Sequence, residues 1–166
     1  MKTFIIAAMT ADGYIGRDSA HAAMWTGKED KKRFVEITKR AGVIIMGQNT
    51  WKTLGRPLKD RLNIVYSPVP LEDAAEGVET TAKSPADLLK ELEGRGFKEV
   101  AICGGSMIYS MFMKSGLIDT LYLTIEPIVF GDGMRLFKES MDFKLKLVSS
   151  IATENGALLL EYSVNK

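Results

Sequence analysis

The chain has 166 residues, 46% hydrophobic and 26% charged, with a formal net charge of +1, which is the make-up of one soluble globular domain long enough to bury a core. That balance gives no electrostatic case for a nucleic-acid or membrane partner, and no apolar run reaches bilayer-spanning length. Cys103 is the single cysteine, which excludes an internal disulfide and suits a reducing cytoplasm.

The opening MKTFIIAAM has one lysine, a short apolar stretch and no small-residue cleavage site after it, so residues 3–9 read as a first strand rather than a signal peptide. Helical spacing follows at 28–40, where Thr26 and Glu29 have the T-x-x-E spacing of a capping box. A strand at 42–46 runs into a short helix at 49–54, and strands at 62–66 and 78–81 flank the loop SPVPLEDAAEG. A helix at 85–94, a strand at 99–103, a helix at 106–114 and a strand at 120–128 complete the alternation. FKLKLVSS and ALLLEYSV then flank Glu154-Asn155-Gly156, a hairpin signal.

There is no repeat, low-complexity tract or linker, so residues 1–166 read as a single domain. Alternating strand and helix imply crossover connections, and the runs FIIAAM, VIIM, NIVY and VAIC are apolar throughout, as strands covered on both faces are. The predicted class is α/β, with a predominantly parallel mixed sheet of about eight strands, helices on both faces and a C-terminal antiparallel hairpin.

Chemistry enters with Asp30. At about 100° per residue it shares one stripe with Phe34, Ile37 and Ala41, opposite Lys32, Glu36, Lys39 and Arg40. It either complements the helix dipole from the first turn or is a buried carboxylate at a pocket mouth, hydrogen-bonding a cationic or amidine-like group. Lys31, Lys32 and Arg33 read as solvated. VIIMGQNTW and VAICGGSMIY each run a strand through glycine into a helix, exposing free N–H groups; each is ordinary turn chemistry or an anion site, and two in one sheet could straddle a pyrophosphate. Arg61, just before an apolar strand, is either a solvated loop residue or a two-pronged carboxylate ligand. Cys103 reads as an apolar filler, the methionines of SMIYSMFM as core, and His21, with no neighbouring Cys or His, gives no metal site.

Together these fragments resemble dihydrofolate reductase from the first strand almost to the end of the chain. The carriers are IIAAMTADGYIG (5–16), Trp25 with Asp30 and Phe34 after it, IIMGQNTWKTLGRPLKDRLNIVYS (44–67), ICGGSMIY (102–109) and LYLT (121–124). The resemblance implies hydride transfer from NADPH to 7,8-dihydrofolate by a cytoplasmic monomer without a metal. It makes Asp30 the carboxylate that grips the pterin, Trp25 a neighbour that helps order a water, and Thr124 a brace for Asp30. Ala7, Ala8, Phe34, Thr50 and Tyr109 would border the substrate, and Arg61 would bind the carboxylate of its glutamate tail. Ala8, Ile15, Gly16, Gly47, Gln48, Asn49, Thr50, Ser67 and Lys83 would hold the cofactor, together with Cys103, Gly104, Gly105, Ser106, Met107, Ile108 and Tyr109.

The chain departs from the family pattern in places. The loop at residues 17–24 is longer than usual, Met24 stands where proline commonly precedes the tryptophan, and Gln48 and Met107 stand where arginine is frequent. Pro68 stands where a serine or threonine commonly caps the 2′-phosphate. Two other readings keep the residues in play: a stand-alone pyrimidine reductase of the riboflavin type, which shares a T-x-D-G start like Thr10–Gly13, and a nucleotide- or folate-binding protein without turnover.

Overall fold

A computed structural model describes residues 1–71 and 76–165; residues 72–75, within the SPVPLEDAAEG loop, and Lys166 lie outside the described residues. Its elements are β1 (Lys2–Thr10), β2 (Tyr14–Gly16), α1 (Lys28–Ala41), β3 (Val43–Gly47), α2 (Gln48–Leu54), β4 (Leu62–Tyr66) and β5 (Val78–Thr81). They continue with α3 (Pro85–Gly94), β6 (Glu99–Ile102), α4 (Ser106–Lys114), β7 (Thr120–Glu126), β8 (Met134–Arg135), β9 (Leu145–Ala152) and β10 (Leu158–Val164). A 3-10 turn at Ala23–Trp25 precedes α1.

The apolar runs behave as their composition requires. Phe4–Ala7, Val43–Met46 and the centres of β4 and β6 are buried, and successive residues divide between two cores, as the two-residue period of a strand dictates. Ile5, Ile45, Ile64 and Ile102 pack with Leu88, Leu92 and Phe112 of α3 and α4. Phe4, Ile44, Met46 and Val65 pack on the other face with Phe34, Ile37 and Ala41 of α1 and Trp51 and Leu54 of α2. The eight-stranded sheet has the order β5-β4-β3-β6-β1-β7-β10-β9. It is parallel from β5 to β7 and turns antiparallel at β10 and β9. The hairpin turn is closed by Gly156 N–H to the Thr153 carbonyl at 3.0 Å, with Gly156 at φ 88°. The fold is the predicted α/β class.

Outer strand β9 exposes Leu147, Val148 and Ile151. Its lysine, Lys146, and a register irregularity in its pairing with β10 are devices that discourage edge-to-edge pairing. Among the described residues no helix is long and apolar enough to cross a membrane.

Three local expectations change. The capping box does not form: Thr26, extended at φ −77° and ψ 151° after the 3-10 turn, donates its hydroxyl back to the Ala23 carbonyl. Gly27 becomes the N-cap, and Glu29 accepts instead from the Asn155 amide at 2.9 Å. Arg33 is not solvated. Its guanidinium donates to the Leu123 carbonyl at 3.0 Å and the Leu160 carbonyl at 2.8 Å and lies 5.3 Å from the Tyr122 ring, because its long side chain reaches from α1 to the seam between β7 and β10. Of the α4 methionines, Met113 is core and Met107 is exposed. The short β2 and β8 ladder was not foreseen.

Arg33 therefore ties α1 to two strands through charge-assisted hydrogen bonds. Replacing it by Met keeps the aliphatic stem and removes the donors, with an expected loss of about 2 kcal/mol. Urea denaturation checks this as a lower midpoint with an unchanged slope.

Candidate active site

Five of the six parallel strands, β1, β3, β4, β5 and β6, bring their carboxyl ends to a cleft of about 1600 Å³, the place where parallel α/β sheets bind ligands.

One half of the cleft is built by α1 and the first strand. Ala7 and Ala8 form its floor, and Asp30 and Phe34 reach it from α1. Asp30 is half-buried and, among the described residues, no hydrogen bond or ion pair engages its carboxylate. Its charge reaches Tyr109, whose phenol is pushed well above its usual range by burial first, then by Cys103 and Asp30. Tyr109 therefore keeps its proton and donates it to the Ile6 carbonyl at 2.8 Å. Burial likewise raises the Cys103 thiol, against the pull of Arg61, so the cysteine stays neutral in the cleft wall. Arg61 donates Nη1–H to the Thr38 hydroxyl at 2.7 Å and Nε–H to the Lys59 carbonyl at 2.9 Å. Thr38 in turn donates to the Phe34 carbonyl at 2.6 Å. Two of Arg61's five N–H donors are thus engaged within the protein.

The other half is made mostly of backbone. Gly47, Gln48, Asn49 and Thr50 at the β3–α2 junction face Gly104, Gly105, Ser106, Met107 and Ile108 at the β6–α4 junction across the same space. Gly47 N–H donates to the Gly104 carbonyl at 2.7 Å, locking the junctions together. Gly104 sits at φ 118° and is joined to Gly105 by a cis peptide. A Cβ at Gly104 would lie 3.3 Å from the Tyr109 hydroxyl and 3.4 Å from that of Thr50, so only glycine leaves this cradle open. The α4 N-cap, Gly105, supplies no side-chain cap, which leaves the first helical N–H groups to face a ligand. At the far end Ser67 donates to the Val69 carbonyl at 2.5 Å and Lys83 pairs with Glu91.

The roof comes from β2 and the loop behind it. Ile15, Gly16, His21 and Met24 line the cleft. His21 Nδ1 accepts from Arg17 N–H at 3.0 Å. The loop is organised around Phe130, whose ring lies 5.1 Å from Trp25 and 5.7 Å from His21, with the Arg17 guanidinium 4.2 Å away. Asp12 fastens this hub: it accepts from Gly131 N–H at 2.7 Å and Phe130 N–H at 3.2 Å and from the Thr10 hydroxyl at 2.5 Å. Those donors, Thr10 foremost, hold its carboxyl below the usual range.

The structure thus brings Ala7, Ala8, Ile15, Gly16, Asp30, Phe34, Arg61, Ser67, Lys83, Cys103 and Tyr109 to one cleft with both glycine junctions. It leaves two expected residues outside the lining. Thr124 is buried on β7, in register with Ala8. Trp25 is turned onto Phe130, and its indole N–H is buried without a hydrogen-bond partner among the described residues. The 3-10 turn instead presents Met24, 78% exposed, to the cleft. Sequence reading missed Asp12, Phe130 and Tyr66. Tyr66 closes β4 at the cleft, its phenol pushed up to about 12 by burial; its position at the carboxyl end of an apolar strand was the available signal.

The family model for dihydrofolate reductase matches residues 2–154. Dihydrofolate reductase of Bacillus subtilis is 35% identical over 150 residues, covering 90% of this chain and 83% of that protein. A solved structure from Shewanella sp. PV-4, named for riboflavin biosynthesis, superimposes with a TM-score of 0.85 at 23% identity over 100% of both chains. Dihydrofolate reductase from Enterococcus faecalis, solved with NADP(H), gives 0.73 at 24% identity over 99% of this chain and 97% of that one. At these identities the two structures establish the fold.

The roof rests on one tight backbone approach. A Cβ at Gly133, where φ is 154°, would lie 2.5 Å from the Gly16 carbonyl oxygen. Gly133→Ala is expected to open the β2–β8 ladder and speed amide exchange at Gly16 by about tenfold or more, with exchange in β6 unchanged; native-state hydrogen exchange measures this.

Proposed function

Because the chain belongs to the dihydrofolate reductase family, we propose that it reduces 7,8-dihydrofolate to tetrahydrofolate at the expense of NADPH. The observation that carries this reading is Asp30: a carboxylate on the wall of a largely apolar cleft, uncommitted to any protein donor among the described residues, opposite a cradle of backbone and glycine.

An unpartnered carboxylate in such a place needs N–H donors from a ligand. Two parallel donors on one planar edge, a ring amide and its 2-amino group, would satisfy both oxygens. That grip fixes the plane of the heterocycle over Ala7 and Ala8, whose small side chains leave room for a flat ring. Phe34 would pack on the ring and the aryl group beyond it, and Arg61 would bind a carboxylate at the far end of the substrate with the donors that Thr38 and Lys59 leave free. The reaction adds a hydride to the carbon of an imine and a proton to its nitrogen. Asp30 favours the protonated imine by its negative charge; Trp25, turned onto Phe130 outside the cleft lining, takes no part in this reading.

The cleft also fits the cofactor: Gly47, Gly104 and Gly105 leave the space that a pyrophosphate needs, beside the uncapped start of α4. When bound, NADPH supplies the hydride from its nicotinamide ring. Ala8, Ile15, Gly16 and Tyr109 would surround that ring, Gln48, Asn49, Thr50, Ser106, Met107 and Ile108 would flank the pyrophosphate, and Ser67 and Lys83 would lie toward the adenosine. The Ser67 hydroxyl and the Lys83 ammonium are both engaged inside the protein, which supports only a modest preference for NADPH over NADH.

A second reading, a pyrimidine reductase of the riboflavin type, is favoured by the T-x-D-G stretch at Thr10–Gly13, whose Asp12 fastens the roof. The Asp30–Phe34 pair and Arg61 favour folate. The test follows loss of NADPH absorbance with dihydrofolate. Turnover is expected with the wild-type protein, and Asp30→Asn is expected to lower kcat/KM at least about a hundredfold with the thermal midpoint retained. Turnover of an aminopyrimidine and none of dihydrofolate would replace the substrate; binding of both ligands without turnover would replace the enzyme by a carrier.

A further inference from the structure

Glu126 ends β7 and is only 3% exposed. A buried carboxylate is retained only where something holds it, and no cation among the described residues forms an ion pair with it. Its Oε1 accepts one hydrogen bond, from the backbone N–H of Gly27, at 2.7 Å.

Gly27 is the N-cap of α1, and it has no side chain to cap the helix. Thr26 has turned its hydroxyl back to Ala23, so the helix cannot be capped locally. β7 caps it from 99 positions away, and the positive end of the helix dipole faces the carboxylate. On the other side the Asn155 amide holds Glu29. The fit is close: a Cβ on Gly27 would lie 2.7 Å from Asn155 Nδ2 and 3.4 Å from both carboxylate oxygens of Glu126. Asp30 stands in the first turn of the helix gripped in this way, three residues after Gly27. The rise and rotation of that turn decide where the Asp30 carboxylate enters the cleft.

We propose that Glu126 is a positioning residue for Asp30, acting through the Gly27 N–H; the inference rests on the reading that Asp30 grips the substrate. Glu126 does not line the cleft and touches no reacting group. Its hydrogen bond fixes the start of α1 against the sheet and so sets the angle at which Asp30 meets the heterocycle. Misplacement of a binding group by about 1 Å is enough to cost up to about a hundredfold in rate.

The experiment uses the full chain with NADPH and dihydrofolate. Glu126→Gln keeps an oxygen for Gly27 and is expected to retain kcat/KM within about threefold. Glu126→Met has similar bulk and no acceptor, and is expected to lose about tenfold to a hundredfold, with NADPH affinity, read from its fluorescence on binding, unchanged. The loss should nearly vanish in an Asp30→Asn background, because removing Asp30 removes what Glu126 positions. Amide exchange at Gly27 should be slow in the wild type and the Gln variant and fast in the Met variant, a readout that needs no activity. Wild-type kcat/KM in Glu126→Met, equal damage by Gln and Met, or an undiminished loss in the Asp30→Asn background would each overturn the proposal. Full activity of Asp30→Asn alone would instead overturn the functional reading on which it stands.

Discussion

Parallel strands whose side chains are apolar on both faces impose one condition from which the rest of this molecule follows. Each such strand must be covered on both sides, so each connection to its parallel neighbour has to leave the sheet, cross a face as a helix or loop and return at the starting end. From β5 to β7 the strands obey that rule, and their carboxyl ends consequently lie side by side. Two of the turns leaving those ends, after β3 and β6, are short and carry glycine, and they lead into helices with no side-chain cap, which leaves N–H groups unpaired there. The cleft is a by-product of strand direction before it is a feature of any side chain. The lock between Gly47 N–H and the Gly104 carbonyl, beside the Cys103 N–H to Ile45 carbonyl bond, shows how little the arrangement needs from side chains: two strand ends held by backbone hydrogen bonds.

Charged groups near the cleft are of two kinds, distinguished by whether the protein satisfies them. Arg33 is turned onto strand carbonyls, Glu126 onto a helix N-cap and Asp12 onto the amides of Phe130 and Gly131. These groups hold elements in place and have little capacity left for a ligand. Asp30 has no such assignment, and Arg61 keeps part of its donor set. Polar capacity left open in an apolar wall disfavours the empty state and rewards any ligand that completes it.

Much of this was legible in the sequence, for reasons that differ by element. β4, β5, α3 and α4 have the predicted bounds because a short apolar run or a cap marks both ends; Ser84 accepts from Asp87 N–H ahead of α3, with Pro85 in its first turn. The two glycine junctions were legible because glycine at a strand end has few other uses. The cap of α1 was misread, though its first residue was not, because T-x-x-E is a local signal, and the actual partners, Glu126 for the Gly27 N–H and Asn155 for the Glu29 carboxylate, come from distant parts of the chain. β2 and β8 are too short to show a period. Trp25 and Thr124 illustrate the limit of spacing: it gives the order of residues along an element, and the direction each faces depends on partners such as Phe130, 105 positions after Trp25.

The two halves of the cleft are therefore under different physical control. The glycine half is backbone, so its geometry depends on its glycines and the strand order more than on the identity of other side chains. The α1 half is made of side chains on one helix, and its geometry depends on how that helix is fastened. The fold is shared with a structure named for riboflavin biosynthesis, a likeness of fold that leaves the side chains of the α1 half open. On the proposed reading, what selects a substrate here is the pairing of Asp30 with Phe34 along α1 and with Arg61 beside it. That set is held by bonds that never reach the ligand: Glu126 to Gly27, Asn155 to Glu29, Arg33 to two strands, and Arg61 to Thr38.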